Sequence, residues 1–253
     1  MNLTSDRTWD LPKYPWMMSM TWSDLLFAHW PVEPKALSHL LPPGLELDTY
    51  EGSAWIGVVP FLMSGVAPRC CPAIPKLSCF LELNVRTYVT YEGKAGVWFF
   101  SLDAANRLAV RAARATFNLP YMDAEMGLNR SDDASLKGSG LIEYWSNRTH
   151  RGEPPANFEA SYQAVGEPFQ AMPDTLEHWL TARYCLYSSD RKGRLYRGEI
   201  DHDPWQLSPA RWEVRRNTMC DPLGIKLAGQ PHLLFAHPVK VRAWLANRCM
   251  REG

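Results

Sequence analysis

Residues 80–103, FLELNVRTYVTYEGKAGVWFFSLD, decide the fold class of this chain. Two runs rich in β-branched and aromatic residues flank the pair Glu92-Gly93, which suits a tight turn. This pattern predicts a β-hairpin. The string TYEG at 90–93 also occurs at 49–52, inside LELDTYEGSAWIGVVPF (45–61), and predicts a second hairpin there.

Polar and apolar side chains alternate along the first strand of this hairpin, and alternate side chains of a strand face opposite sides. Glu82, Asn84 and Arg86 therefore share one face. Residues two apart lie ~6.6 Å from each other, so Glu82 and Asn84 can contact one small ligand, whereas Glu82 and Arg86, ~13 Å apart, suit opposite ends of a pocket. Two interpretations stay open: the lining of a pocket, or the solvated face of an antiparallel sheet.

The remaining pattern predicts further strands, two main helices and one polar loop. The stretch Gly96–Asp103 is apolar enough to predict a strand buried on both faces. We expect a helix over 104–117 with Asp103 as its N-cap, and a second helix from Asp174, where Glu177 completes a pattern like a capping box. Residues 127–139 are expected to form a loop, and strands are expected at 141–149, 160–166 and 239–243.

Together these elements predict one α+β domain over residues 1–253, with an N-terminal arm at 1–20 and mainly antiparallel strands. Trp9 and Trp16 in the arm either pack across a subunit interface, in a homo-oligomer, or tie the arm onto its own chain.

Composition excludes several classes of protein. The chain has 253 residues, with 27 Lys+Arg and 27 Asp+Glu, so its formal net charge is zero. The 46% hydrophobic fraction is inconsistent with a disordered chain, and the absence of a basic excess argues against a nucleic-acid partner. No stretch approaches ~20 apolar residues, and the N-terminus is charged, so we expect no membrane partner and a cytoplasmic location.

Histidines and cysteines give weaker signals. His202 stands between two aspartates in DHDPW (201–205), and a carboxylate beside an imidazole suits a general base. The spacing of His202, His232 and His237 matches no short metal motif, and no P-loop or GxGxxG is present, so we predict no metal and no cofactor. The adjacent Cys70 and Cys71 are either a reactive thiol pair or small, partly buried reduced residues.

An ordered set of segments resembles a known family. The segments are LLFAHWPVEP (25–34), LPPGLELDTYEGSAWIGVVPF (41–61), FLELNVRTYV (80–89), GVWFFSLDAANRLAVRAARATFNLPY (96–121), LTARYCLY (180–187) and DHDPW (201–205). They resemble the bacterial family known as domain of unknown function 2071, which includes the YqjF-like proteins. The resemblance runs roughly from Trp22 to His237.

That family is similar in fold to acetoacetate decarboxylase, which implies a large mixed or antiparallel β-barrel with a central cavity and flanking helices. In the decarboxylase, a glutamate on a barrel strand orients the substrate and a lysine forms a Schiff base. The resemblance carries the glutamate over to Glu82 and places Tyr121, in FNLPY, where the lysine would be needed. Because a phenol cannot form an imine, the resemblance does not support Schiff-base decarboxylation.

Two functions follow as hypotheses: an enzyme acting on a small keto or hydroxy acid, or a non-catalytic protein that binds a small-molecule metabolite. A third interpretation is a structural polar network with no ligand. The expected catalytic residues are Glu82, Tyr121 and His202. The expected substrate-binding residues are Asn84, Arg86, Ser101, Arg114, Arg183, Tyr184 and Trp205.

Overall fold

The computed structural model describes residues 7–74, 78–106, 111, 118–131 and 140–249. The described strands are β1 (Met18–Ser23), β2 (Leu25–Val32), β3 (Glu46–Leu47), β4 (Ala54–Pro68), β5 (Phe80–Tyr91), β6 (Lys94–Ala104), β7 (Tyr121–Arg130), β8 (Ile142–Arg148), β9 (Asn157–Ala164), β10 (Cys185–Ser189), β11 (Leu195–His202), β12 (Leu207–Asn217), β13 (His232–Ala236), β14 (Val239–Ala243) and β15 (Asn247–Arg248). The described helices are α1 (Pro34–Ser38), α2 (Leu176–Thr181) and a 3-10 turn (Asp221–Leu223).

The described strands form one mostly antiparallel sheet that closes on itself. Twelve of them make a ring in the order β4-β1-β14-β11-β10-β6-β7-β8-β9-β12-β13-β2. Strand β5 pairs with both β4 and β6 and therefore crosses this ring. It divides the ring into a seven-strand ring (β4, β1, β14, β11, β10, β6, β5) and a nine-strand ring (β4, β2, β13, β12, β9, β8, β7, β6, β5).

Each ring has its own apolar core, and β5 contributes a different face to each. Leu83 and Val85 pack with Tyr144 and Phe158 in the core of the nine-strand ring. Glu82 lies between its cross-strand neighbours Phe61 and Ala104, which belong to the core of the seven-strand ring. Directly opposed residues of an antiparallel pair share a face. The polar face of β5 is therefore interior.

The hairpin over residues 80–103 is confirmed, with β5 and β6 joined at Glu92 and Gly93. Both turn residues have positive φ angles, 50° and 73°, as a tight hairpin turn requires. The turn at Glu51 and Gly52 is also present, with φ angles of 48° and 79°.

The hairpin predicted over residues 45–61 would pair β3 with β4, and this pairing is wrong. β3 pairs with β5, through Glu46 opposite Thr90 and Leu47 opposite Val89, and not with β4. The pairing of β4 with β5 ends at Ile56 and Thr87. Beyond that point β5 has an open edge, which β3 occupies.

Strand β6 differs from its prediction in the burial of its side chains and in the role of Asp103. Trp98 and Phe100 are only half-buried, because a register shift opposite Val85 and Arg86 interrupts the regular alternation of β6. Asp103 does not cap a helix, since it lies within β6 and pairs with Arg148. The predicted helix starts too early, because Ala104 is still in β6 and residues 105 and 106 are not helical, while residues 107–110 and 112–117 lie outside the described residues.

The predicted loop over 127–139 is partly wrong, because β7 continues to Arg130 and pairs with β8. The polar residues Asn129 and Arg130 are exposed strand residues, so their polarity reflects exposure and not a loop. Residues 132–139 lie outside the described residues.

The second predicted helix is present, but its start is displaced. α2 begins at Leu176, and the hydroxyl of Thr175 caps it by accepting a hydrogen bond from the backbone N–H of His178 (3.3 Å). Asp174 precedes the cap with φ = 67°, and Tyr184 lies beyond the helix. Strands β8, β9 and β14 confirm the three remaining strand predictions to within a few residues.

The N-terminal arm is fastened to its own chain. The Trp9 indole donates to Glu199 on β11, and β1 already begins at Met18, inside the predicted arm.

Cys70 and Cys71 are exposed, so the expectation of partly buried thiols is wrong. Within the described residues, no helix has the length and apolar character needed to cross a bilayer.

Candidate functional site

Glu82 is a deeply buried carboxyl group in the interior of the seven-strand ring. Its side chain accepts a hydrogen bond from the Tyr121 hydroxyl (2.9 Å), which β7 brings beside it. Burial raises the pKa of Glu82 to about 8, with the negative charge of Asp103 adding to the rise and the Tyr121 hydrogen bond opposing it. Glu82 is therefore mostly protonated at neutral pH and can donate a proton.

Tyr121 also retains its proton. Burial and the neighbouring Glu82 carboxyl raise the pKa of this phenol well above its usual value. The pair therefore presents two buried O–H groups. Because the two groups interact, their titration is a property of the pair and not of either residue alone.

Arg86 begins a second chain of hydrogen bonds on the same face of β5. Its guanidinium donates to the Tyr88 hydroxyl (3.2 Å), which lies 2.6 Å from Nε2 of His29 on β2. Burial, with Arg86 and His232 nearby, holds the pKa of His29 well below its usual value, so this imidazole is neutral. Because Arg86 donates to the Tyr88 oxygen, the arrangement favours a hydroxyl proton directed at Nε2 and a ring proton on Nδ1.

Gly57 leaves space for the hydrogen-bonded side chains of Arg86, Tyr88 and His29. A Cβ atom at residue 57 would lie 2.7 Å from the His29 ring and 3.5 Å from Cγ of Arg86. The glycine stands directly opposite both Arg86 and His29 in the strand register, so its missing side chain lets the arginine and imidazole approach each other.

Several buried polar atoms of this region have no hydrogen-bond partner among the described residues. They are Oδ1 of Asn84, Nε of Arg86, Nδ1 of His29 and Nε1 of Trp22. Buried polar groups are normally hydrogen-bonded, and leaving one unpaired costs roughly 1–3 kcal/mol. An acceptor and three donors without partners therefore mark this region as one that a polar ligand can complete.

Aromatic rings cover the region opposite β5. The Trp22 and Trp205 rings stack with centroids 6.1 Å apart, and the Trp205 ring meets the His202 ring at 4.9 Å. Tyr184 packs on the other side of this contact, 4.8 Å from His202. Trp205 also meets Phe27 edge-on at 5.5 Å, which joins these rings to Arg86.

Comparison with known families identifies the relatives of this chain. Residues 19–240 match the model of the family called domain of unknown function 2071 (DUF2071), described as an uncharacterised conserved protein. The chain belongs to this family. This DUF2071 chain is also 45% identical to the uncharacterised protein YqjF of Bacillus subtilis (strain 168) over 235 residues, which cover 92% of this chain and 93% of YqjF.

Solved structures show a related fold. The enduracididine biosynthesis enzyme MppR, complexed with the condensation product of pyruvate and imidazole 4-carboxaldehyde, aligns with a TM-score of 0.63 and 14% identity over 93% of this chain and 90% of MppR. Acetoacetate decarboxylase from Legionella pneumophila aligns with a TM-score of 0.61 and 14% identity over 96% of this chain and 93% of that enzyme. The DUF2071 chain thus has the acetoacetate-decarboxylase-like fold expected from its sequence.

The structure brings most of the predicted site residues of this DUF2071 chain together. Asn84 and Arg86 lie on the Glu82 face of β5, and Tyr121 contacts Glu82 directly. His202, Tyr184 and Trp205 join them through the aromatic rings, with Nδ1 of His202 2.7 Å from the carbonyl oxygen of Asp203.

The Asp201 carboxylate, next to His202 in sequence, accepts a hydrogen bond from Arg242 (2.6 Å).

Other predicted residues have different surroundings. Ser101 lies opposite Val85, on the nine-strand side of the sheet, where it accepts a hydrogen bond from Arg148 (2.9 Å). Ser101, expected to bind substrate, therefore faces the other ring and lies on the opposite side of the sheet from Glu82. Arg183 forms an ion pair with Asp48 (2.6 Å). Its guanidinium also stacks over the ring of Tyr88, which accepts the hydrogen bond from Arg86. Arg114 lies outside the described residues.

The expected site residues include none from β2, which contributes His29. His29 follows Phe27 by two residues in LLFAHWPV, so both share a face of that strand. This alternation was a usable signal, but it did not show that β2 lies beside β4 and faces Arg86 across Gly57. Among the described residues, no three potential metal ligands lie close enough together to hold an ion.

Proposed function

We propose that this protein binds a small carboxylic acid that carries a keto or hydroxyl group, within the seven-strand ring, and acts on it without a Schiff-base lysine. The observation that carries the proposal is the interior polar face of β5, where Asn84 and Arg86 have buried atoms without partners beside a protonated Glu82. A guanidinium is suited to a carboxylate. The ligand would lie opposite Asn84, about 6.6 Å along β5 from either residue, with its carboxylate toward Arg86 and its keto or hydroxyl oxygen toward Glu82.

Glu82 would act as the general acid. A catalytic acid works best when its pKa lies near the working pH, and a pKa of about 8 meets that condition. Tyr121 would orient the carboxyl group and stabilise negative charge that develops on the substrate oxygen. A buried carboxyl group that is protonated near the working pH can transfer its proton, which favours an enzyme over a protein that only binds.

The unpartnered atoms also argue against a purely structural network. A structural network in a protein interior has its donors and acceptors satisfied, because a partly satisfied one is destabilising. Here an amide oxygen, a guanidinium nitrogen and an imidazole nitrogen lack partners among the described residues.

The lysines support chemistry without an imine. Of those described, Lys13, Lys35, Lys192, Lys226 and Lys240 are exposed, and the half-buried Lys94 lies over the Trp9 ring. A lysine must be desolvated to become an amine nucleophile near neutral pH. None of the described lysines has that environment.

The proposal is tested by titrating the purified protein with pyruvate and lactate by calorimetry, with product formation followed by NMR. We expect binding that Arg86→Met weakens at least tenfold and turnover that Glu82→Gln abolishes while binding is kept. Arg215→Met, which alters an exposed arginine on β12, is the matched control and should bind as the wild type does. Absence of binding to both acids would contradict the proposal.

A trapping experiment tests the absence of an imine. Wild-type protein incubated with pyruvate and borohydride should show no mass increase in intact-protein mass spectrometry. Covalent attachment of the three-carbon unit would refute chemistry without a lysine, and peptide mapping would then identify the amine.

A further inference from the structure

The interior of the seven-strand ring has a continuous series of aromatic rings beside its polar residues. The Arg86 guanidinium lies 4.9 Å from the centroid of the Phe27 ring, which contacts Trp205. Trp205 stacks on Trp22, and Trp22 meets Phe61 edge-on at 5.8 Å. Because Phe61 is the cross-strand neighbour of Glu82, these rings span the distance between the two ends of the proposed site.

Two of the rings in this core remain partly accessible. Trp22 and Phe99 are half-buried, although both pack against the core of the seven-strand ring. Phe99 stands directly opposite Arg86, since the irregular register of β6 brings it onto this face. Arg86 is itself half-buried in the middle of a strand that is paired on both sides. Each of these three side chains therefore keeps some accessible surface that a ligand can cover.

Trp22 also has an unmet hydrogen bond. Its indole N–H is buried and has no acceptor among the described residues. A buried indole normally donates to an acceptor, so an acceptor on a ligand beside this ring would satisfy it.

We propose that the acid bound at Arg86 carries a flat aromatic or unsaturated group that lies against Trp22 and its neighbouring rings. The proposal rests on the proposed function and specifies the substrate class of the same site. A planar group gains stacking and edge-to-face contacts that a methyl group or a puckered aliphatic ring cannot make. The Arg86 guanidinium would then hold the carboxylate while the planar group lies against the Trp22 ring.

The test compares three 2-oxo acids that share the same carboxylate and keto group: pyruvate, phenylglyoxylate and cyclohexylglyoxylate. Calorimetry on the full chain should give a dissociation constant for phenylglyoxylate about tenfold below that of the other two. Trp22→Leu should remove this preference, so that the dissociation constants of the three acids agree within about twofold. Trp145→Leu, which removes a half-exposed indole on β8, is the matched control and should keep the preference.

The outcomes separate this inference from the proposed function. Equal affinity for the phenyl and cyclohexyl acids would overturn the inference while the proposed function stands. Loss of the preference in Trp145→Leu would also overturn it, since that indole lies elsewhere. If none of the three acids binds, the proposed function fails and the inference fails with it. Circular dichroism verifies that each variant is folded. If Trp22→Leu is unfolded, Phe99→Leu takes its place in the test.

Discussion

The ionisation of Glu82 depends on its surroundings more than on any direct partner. Burial dominates its raised pKa, and the hydrogen bond from Tyr121 offsets only part of that effect. A carboxyl group on an exposed strand with the same neighbours in sequence would keep an ordinary pKa. The chemistry of this residue is therefore a consequence of its position inside the ring.

This raised pKa predicts a pH-dependent stability. The pKa of Glu82 is about 8 in the folded chain and ordinarily 4.5, so the unfolded chain releases the proton first as pH rises. The free energy of unfolding should therefore fall between these two values, by roughly 1.4 kcal/mol per pH unit from this group. Glu82→Gln should remove that dependence and become more stable relative to the wild type from pH 5 to pH 8.

Urea denaturation of both proteins at pH 5, 6, 7 and 8 measures this difference directly. The difference between wild type and variant isolates Glu82, because other groups titrate alike in both. A constant difference across this range would show that the carboxyl group ionises at an ordinary pH.

Strands β6 and β8 are joined by a buried ion pair on the nine-strand side of the sheet. The Arg148 guanidinium donates to both carboxylate oxygens of Asp103, at 2.7 Å and 2.9 Å, and to the Ser101 hydroxyl at 2.9 Å. The two side chains are 3% and 0% exposed. Burial nevertheless raises the pKa of Asp103, and Arg148 opposes this by stabilising the carboxylate.

Removing one partner of this pair should be strongly destabilising. Arg148→Met leaves the Asp103 carboxyl group buried without its cation, which costs on the order of 3–5 kcal/mol. Arg215→Met breaks the exposed pair with Glu159, 3.1 Å apart, and should cost less than about 1 kcal/mol. Urea denaturation at pH 7 compares the two variants. Similar losses in both would mean that burial does not determine the strength of these pairs.

Two rings share the three strands β4, β5 and β6, so the molecule separates the polar groups of β5 and β6 into two interiors. Glu82 faces the seven-strand ring, whereas Asp103 faces the other, although the two carboxyl groups interact through the sheet. The N-terminal arm contacts β11, where the Arg7 guanidinium donates to the carbonyl oxygen of Ile200 (2.7 Å) and to Glu199.

The arm should be essential to the stability of the whole chain. Arg7→Met removes a guanidinium that is 2% exposed and leaves Glu199 with Arg197 (2.9 Å) as its remaining described ion-pair partner. A loss of about 3 kcal/mol would lower the melting temperature by roughly 6–12 °C. Lys13→Met changes an exposed residue of the same arm and serves as the control.

Differential scanning calorimetry and limited proteolysis measure the effect. We expect faster cleavage within the arm of Arg7→Met than of Lys13→Met. Identical melting temperatures for the two variants would show that the arm adds little to the stability of the sheet.

The sequence alone determined the local structure of the central hairpin and the shared face of Glu82, Asn84 and Arg86. Side-chain alternation and turn chemistry act over a few residues, so they are visible in the chain itself. The family resemblance added the overall fold and the choice of Glu82. Polarity was misleading at Asn129, where an exposed strand has the composition of a loop.

Only the tertiary structure decided which way the polar face of β5 points and which residues meet it. His29 and Trp22 reach this face from other strands, through a register that no local pattern specifies. A single register shift in β6 places Phe99 beside Arg86, while Ser101 faces the other ring. Side chains alternate with a period of two, so one extra residue reverses the face, and strand pairing across the sheet determines where that occurs.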